Sequence, residues 1–365
     1  MRLRTRLAAA FVIVSAMMAC SENTENQNLN DNHHLWPALG DLGNTPSRAL
    51  TLTDFGPQQA PPAAAGSLGP VLTDILAHLP ASFGSKYYNA DLTTWGHETT
   101  HGIHEYLRSR HNPTGRKAAA FYLLNDKAAV VVEPKVLKRR VAEFIPLALQ
   151  GENYALYITG QTVWDDTPLY ILDEFFGQLN GAAVALDRRY SRTESPDFAP
   201  AALVEFVSYG IALAMAVQKY DPAYFTDNHQ FSAVLAVAIE RAMLLYRHAA
   251  ATAEAGLPAE KQAQRLYHNL TVDQSGAPMR EFALRLFGAT WTNRVLLAPV
   301  SADTGHDGDL LTQLQQTLPA AAPDKDGDSD GVPDRLDRCP KSAAGKAKVW
   351  TYGEWIGCAE GEQRN

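Results

Sequence analysis

The chain predicts an α+β protein that is predominantly α, with one small sheet in its first half and a helical second half. Three observations predict this. Beyond Pro168, apolar residues recur at helical spacing almost without interruption. Before it, two short runs rich in Val and aromatic residues, Ala120 to Leu124 and Ala128 to Glu133, flank Asn125-Asp126-Lys127 in the manner of a hairpin. Hydrophobic residues make up 46% of 365 positions, ample for a sizeable buried core. The formal net charge of -8 argues against nucleic acid as a partner.

In chain order, Arg2, Arg4 and Arg6 precede an apolar run from Leu7 to Ala19, too short for a stable membrane span but suited to the core of an export signal. The run ends in Met17-Met18-Ala19-Cys20, which resembles the lipobox of bacterial lipoproteins. That resemblance implies removal of residues 1–19 and lipidation of Cys20, and Ser21 in place of an aspartate implies an outer-membrane anchor facing the periplasm or the cell surface. Residues 20–66, rich in Asn, Pro, Ala and Gln, read as a low-complexity tether, His33 and His34 included. After processing, no apolar stretch is expected to approach spanning length; the longest, such as Ile211 to Val217, falls within amphipathic helices.

The folded part is expected over residues 67–315. A first helix covers Leu72 to Leu79, and a second runs from about Thr94 to Arg110, closed by Asn112-Pro113-Thr114-Gly115. The hairpin follows, and Tyr154 to Ile158 suggests a further strand. Helical periodicity then marks Leu169 to Arg188, Pro200 to Lys219, Gln230 to Ala251, Ala259 to Leu270 and Met279 to Phe287. Within these, Glu205 is expected to pair with Arg241 or Arg247 between helices.

The second helix carries His97-Glu98-Thr99-Thr100-His101, an H-E-x-x-H motif. Histidines four apart on a helix point the same way, so both imidazoles can reach one zinc ion while the glutamate lies beside the open position. At 100° per residue, His97, His101, His104 and Arg108 share one face, and Trp95 and Tyr106 the other. A catalytic zinc needs a third protein ligand. The position six beyond His101 is Leu107, which rules out the metzincin arrangement. His104 lies one turn along from the metal, where it either orients other groups or faces substrate, unless a break at Gly102 brings it in. Glu174 fits better, because helical projection groups Tyr170, Glu174, Gly177 and Gly181 on one face of an otherwise apolar helix. A carboxylate flanked by two glycines suits a close helix approach, and when buried it needs a cation partner. Asp173 is the alternative ligand, or an acceptor for a ligand histidine.

From about Leu68 to Phe287 the chain therefore resembles the gluzincin-type zinc metallopeptidases, through His97, Glu98 and His101 with the acidic helix at Glu174. The resemblance implies a zincin-like catalytic domain that binds Zn2+ and acts on a peptide or protein substrate, or on a related amide. It implies Glu98 as general base. An oxyanion donor is also needed, and Tyr170 is the first candidate, with Tyr157 and His104 behind it.

Residues 316–365 form an acidic tail that resembles a thrombospondin type 3 repeat, a calcium-binding module. Asp326, Asp328 and Asp330 take positions one, three and five of an EF-hand-like loop, Gly331 makes the turn, and Asp334 and Asp337 fall at nine and twelve, with Asp324 extending the site or binding a second ion. If Cys20 is lipidated, Cys339 and Cys358 are left to form one disulfide. Two functions are then expected to compete: an exported, tethered zinc metallopeptidase, or a non-enzymatic surface lipoprotein that binds a wall component or a partner protein.

Overall fold

The computed structural model describes residues 46–62, 65–83, 86–112, 114–190, 200–252, 258–300 and 310–319. The export signal, Cys20, Cys339, Cys358 and all six aspartates of the calcium register lie outside these residues. What is described is a predominantly helical domain with a small three-stranded sheet.

In chain order come β1 (Thr53–Asp54), α1 (Ala65–Leu68), α2 (Pro70–His78), α3 (Leu92–Arg110), β2 (Ala118–Tyr122) and β3 (Lys127–Val132). The remainder is helical: α4 (Tyr170–Tyr190), α5 (Pro200–Tyr220), α6 (Pro222–Asp227), α7 (His229–Thr252), α8 (Pro258–Thr271), α9 (Ala277–Phe287), α10 (Ala289–Val295) and α11 (Leu310–Gln315). The sheet is antiparallel in the order β1-β3-β2, with Ala120 opposite Val130 and Thr53 opposite Ala128. Its hairpin turn holds Leu124, Asn125 and Asp126 all at positive φ. Three such residues in a row are costly. The turn is tied down by Asn125 N to Asp74 Oδ2 at 3.3 Å and by His78 Nε2 to Asp126 Oδ1 at 2.8 Å.

α5 is apolar on nearly every face and runs through the interior, packed on α4, α7, α8 and α9. It corrects the expectation about spanning length. Ala201–Tyr220 is long and apolar enough to cross a membrane, and 83% of its apolar window is buried inside the domain.

Three further expectations are corrected. Residues 46–62, read as tether, belong to the folded domain: β1 joins the sheet, and Phe55 is buried among His78, Tyr106, His111 and Tyr122. A strand of two residues has no periodicity to read. Tyr154 to Ile158 is not a strand but part of a π-helical turn, Tyr154–Thr159. The buried ammonium of Lys138 takes the carbonyls of Tyr157, Ile158 and Gly160 at 2.8, 3.1 and 2.8 Å, so they are not offered to a sheet. Glu205 pairs with neither arginine. It accepts from Asn153 N at 2.9 Å, Asn153 Nδ2 at 3.0 Å and the Tyr209 hydroxyl. Arg241 instead donates to Thr317 Oγ1 at 3.0 Å and Leu314 O at 3.1 Å, which anchors the chain just past α11.

Candidate metal centre

α3 begins where Asp91 accepts from Thr93 N at 3.1 Å and Thr94 N at 3.4 Å, an N-cap that sets the phase of the motif helix. Its last turn carries Arg108 and Arg110, favourable at the negative end of the helix dipole. α3 packs most extensively on α4, and glycines let the two backbones approach. A Cβ on Gly96 would stand 2.8 Å from Val184 Cγ2, and one on Gly181 would stand 3.1 Å from Thr93 O.

At this contact His97, His101 and Glu174 converge. His101 Nε2 lies 3.0 Å from His97 Nε2, and Glu174 Oε2 lies 3.6 Å from His97 Nε2 and 3.4 Å from His101 Nε2. These three donors could hold a metal ion. Tyr170 also lies beside the Glu174 carboxylate, as the shared face requires. Gly177 leaves the space in which the imidazoles meet, since a Cβ there would lie 3.0 Å from His101 Nε2 and from His97 Nε2. Gly177→Ala is thus expected to weaken metal binding by about tenfold, while the apo protein changes by less than about 1 kcal/mol because alanine is the better helix former. Isothermal titration beside thermal melting separates the two effects.

Asp173 is the hub behind the triad rather than a member of it. Its Oδ1 lies 2.6 Å from His101 Nδ1 and 2.9 Å from His104 Nδ1, and its Oδ2 accepts from Arg108. The bond to His101 Nδ1 leaves Nε2 free to ligate, which is how an outer carboxylate orients a metal-binding histidine. Burial would raise the Asp173 pKa, but the imidazoles of His104 and His101 hold it well below the carboxylate range. His104 is fully buried. It therefore neither faces substrate nor joins the triad, and burial pushes its pKa down, which keeps the ring neutral.

Two carboxylates bear on the triad, Glu174 within it and Asp173 behind it. Burial alone would lower the His101 pKa, yet bonds to Asp173 and Glu174 push it up to about 10. Burial would raise that of Glu174, yet the bonds from His101 and His97 hold it down to about 2. In the metal-free chain the protonated His101 is the cation these carboxylates hold, and a metal ion bound at its Nε2 would take that proton's place. Glu98, between the two histidines, is exposed. Tyr157 lies within the field of both Glu174 and Glu98, and burial together with these carboxylates raises its pKa, as burial and Glu174 do for Tyr170. Both tyrosines therefore keep their protons as donors.

Two other groups of metal-capable residues exist among the described residues. His101, His104 and Asp173 are the hub just described. Asp74, His78 and Asp126 are bound up in the hairpin network, where the Tyr122 hydroxyl donates to Asp74 Oδ2 at 2.7 Å.

A cleft of about 680 Å³ opens on the His101 side of the triad, with Trp164, Tyr170, Ala118 and Glu133 in its walls. Glu133, Trp164 and Lys138 carry no motif, and sequence reasoning missed them. The one available signal was a tryptophan within the polar stretch Gly160-Gln161-Thr162-Val163-Trp164-Asp165. Compared with known proteins, the chain has no significant match among family models, curated proteins or solved structures, so the geometry carries the functional reading.

Proposed function

We propose that the protein is a zinc metallopeptidase, exported and tethered by a lipid on Cys20, in which His97, His101 and Glu174 hold the metal and Glu98 is the general base. The observation that carries this reading is the donor triangle. With bonds of about 2.0–2.1 Å, tetrahedral zinc sets its donors roughly 3.3 Å apart. The three edges here are 3.0, 3.4 and 3.6 Å. Among the described residues the group contains three donors, as a catalytic site with one open position requires.

Zinc held there would supply a Lewis acid that polarises a carbonyl and lowers the pKa of water toward neutrality. The protein does the rest. Glu98, exposed on the motif helix, takes a proton from the attacking water and returns it to the leaving amine. Tyr170 and Tyr157 both lie beside Glu174, with Tyr157 also in the field of Glu98, and these two protonated hydroxyls are the candidate donors to the developing oxyanion. Asp173 fixes the ring of His101, and Lys138 pins the carbonyls of the turn that bears Tyr157. On their sequence register, Asp324, Asp326, Asp328, Asp330, Asp334 and Asp337 are assigned to Ca2+.

Zinc analysis of the purified chain with a peptide-library assay tests this. One zinc per chain is expected, with cleavage lost on chelation and restored by zinc but not by calcium. Cleavage that survives complete removal of zinc would discard the reading.

A further inference from the structure

We propose that the cleft beside the triad is the subsite for a basic side chain, lysine or arginine, next to the scissile bond, with Glu133 as its counter-charge. This deepens the hydrolase reading and rests on it. His101 and Glu174 stand in the wall of the cleft, so a side chain seated there belongs to a residue adjoining the bond at the metal. The walls suit an aliphatic stem ending in a cation. Trp164 and Tyr170 stack 5.2 Å apart at 5°, and Ala118 and Ala119 leave room opposite.

The charges select the sign. Arg108 is engaged by Asp173, and Lys117 by Asp166 Oδ2 at 2.7 Å and Asp166 O at 3.0 Å. Glu105 faces Lys86 at 3.8 Å and the Tyr87 hydroxyl at 3.3 Å. Glu133 alone among these has no ion-pair partner among the described residues. One of its oxygens accepts Leu169 N at 3.1 Å, just before α4. Burial pushes its pKa up to about 7, against the pull of that bond and of Lys117 and Arg108 at longer range. A half-buried carboxylate with no balancing cation beside it is a place where the cation of a ligand is favourable.

Glutamine at this position retains an acceptor for Leu169 N but loses the charge, so Glu133→Gln separates recognition from capping. Peptides that differ at one position flanking the bond, as lysine, arginine, glutamate or leucine, are compared on the full chain. The wild type is expected to favour lysine and arginine over leucine by about tenfold in kcat/KM. Glu133→Gln should erase that preference, and Glu133→Lys should favour glutamate. Binding of the same peptides to the Glu98→Gln chain, read by fluorescence anisotropy, gives a measure independent of turnover. A basic preference in binding without any cleavage would keep the subsite and sink the hydrolase reading. Equal binding of all peptides, a preference unchanged in Glu133→Gln, or a preference for glutamate in the wild type would each overturn the proposal, the last assigning the cleft to Arg108 and Lys117.

The preference should also fade below about pH 7 in the wild type as Glu133 takes up a proton. The groups facing Glu133 are Lys117 before β2, Arg108 on α3, Asp173 on α4 and Tyr224 on α6. None of these is replaced in Glu133→Gln, so the lysine-to-leucine ratio of that variant should stay flat across the same range. A parallel fall in both proteins would remove Glu133 as the titrating group and count against the proposal.

Discussion

Replacing Glu98 by glutamine is expected to lower kcat about 10²- to 10⁴-fold while zinc affinity stays within about twofold. The split follows from placement. The three donor atoms of the triangle come from His97, His101 and Glu174, and Glu98 contributes none of them. Its side chain leaves α3 between the two histidines, is exposed to solvent and stands outside the donor set. Glutamine preserves size and polarity and removes only the ability to accept a proton. Stopped-assay kinetics on a cleaved peptide, run beside equilibrium dialysis of zinc, read the two quantities separately. Equal activity in both proteins would remove Glu98 as the base. Loss of the metal together with activity would make it a ligand instead.

Asp173→Asn is expected to be the most damaging single change to the fold and the metal centre together. The carboxylate is 8% exposed and serves His101, His104 and Arg108 at once. An amide oxygen in the place of Oδ1 can still accept from both imidazoles, but the amide nitrogen then confronts the Arg108 guanidinium, and the negative charge that balanced it is gone. Breaking a buried charge pair in this way costs about 3–5 kcal/mol. In a domain of this size that lowers Tm on the order of 10 °C. Zinc affinity should fall about 10- to 100-fold as well, because a neutral amide orients and polarises the ring of His101 less strongly than the carboxylate. Differential scanning calorimetry of the apo and zinc-loaded proteins reads both effects, and the gap between the two melting points should shrink. An unaltered zinc affinity in a destabilised protein would mean that Asp173 supports the fold without positioning the ligand.

The fate of α4 illustrates why so much of the site was legible. Tyr170, Glu174, Gly177 and Gly181 share a face through helical periodicity alone, and the structure lays that face against the motif helix. The hairpin and the long helices were legible for the same reason: each is stabilised by a pattern that repeats within its own length. The π-helical turn at Tyr154–Thr159 is different. Its residues have strand propensity, but the ammonium of Lys138, from an earlier segment, takes the carbonyls of Tyr157 and Ile158 that a strand would offer to a neighbour. Glu205 itself shows the same limit, since it is bonded by Asn153 from a loop and by Tyr209 of its own helix, and not by the neighbouring helix that carries Arg241.

The linear chain thus specified the metal-capable residue types, the motif helix, the acidic helix and most boundaries of the long helices, because covalent spacing on a helix places side chains within a turn of one another. The tertiary structure decided which acid on α4 meets the imidazoles and which one stands behind them, a choice between the adjacent residues Asp173 and Glu174 that turns on about 100° of helix rotation. It also decided that His104 is sealed inside, that Phe55 and its short strand close the sheet, and that Glu133 lies in the cleft with no ion-pair partner among the described residues. These depend on packing between segments far apart in the chain, and no local repeat encodes such packing.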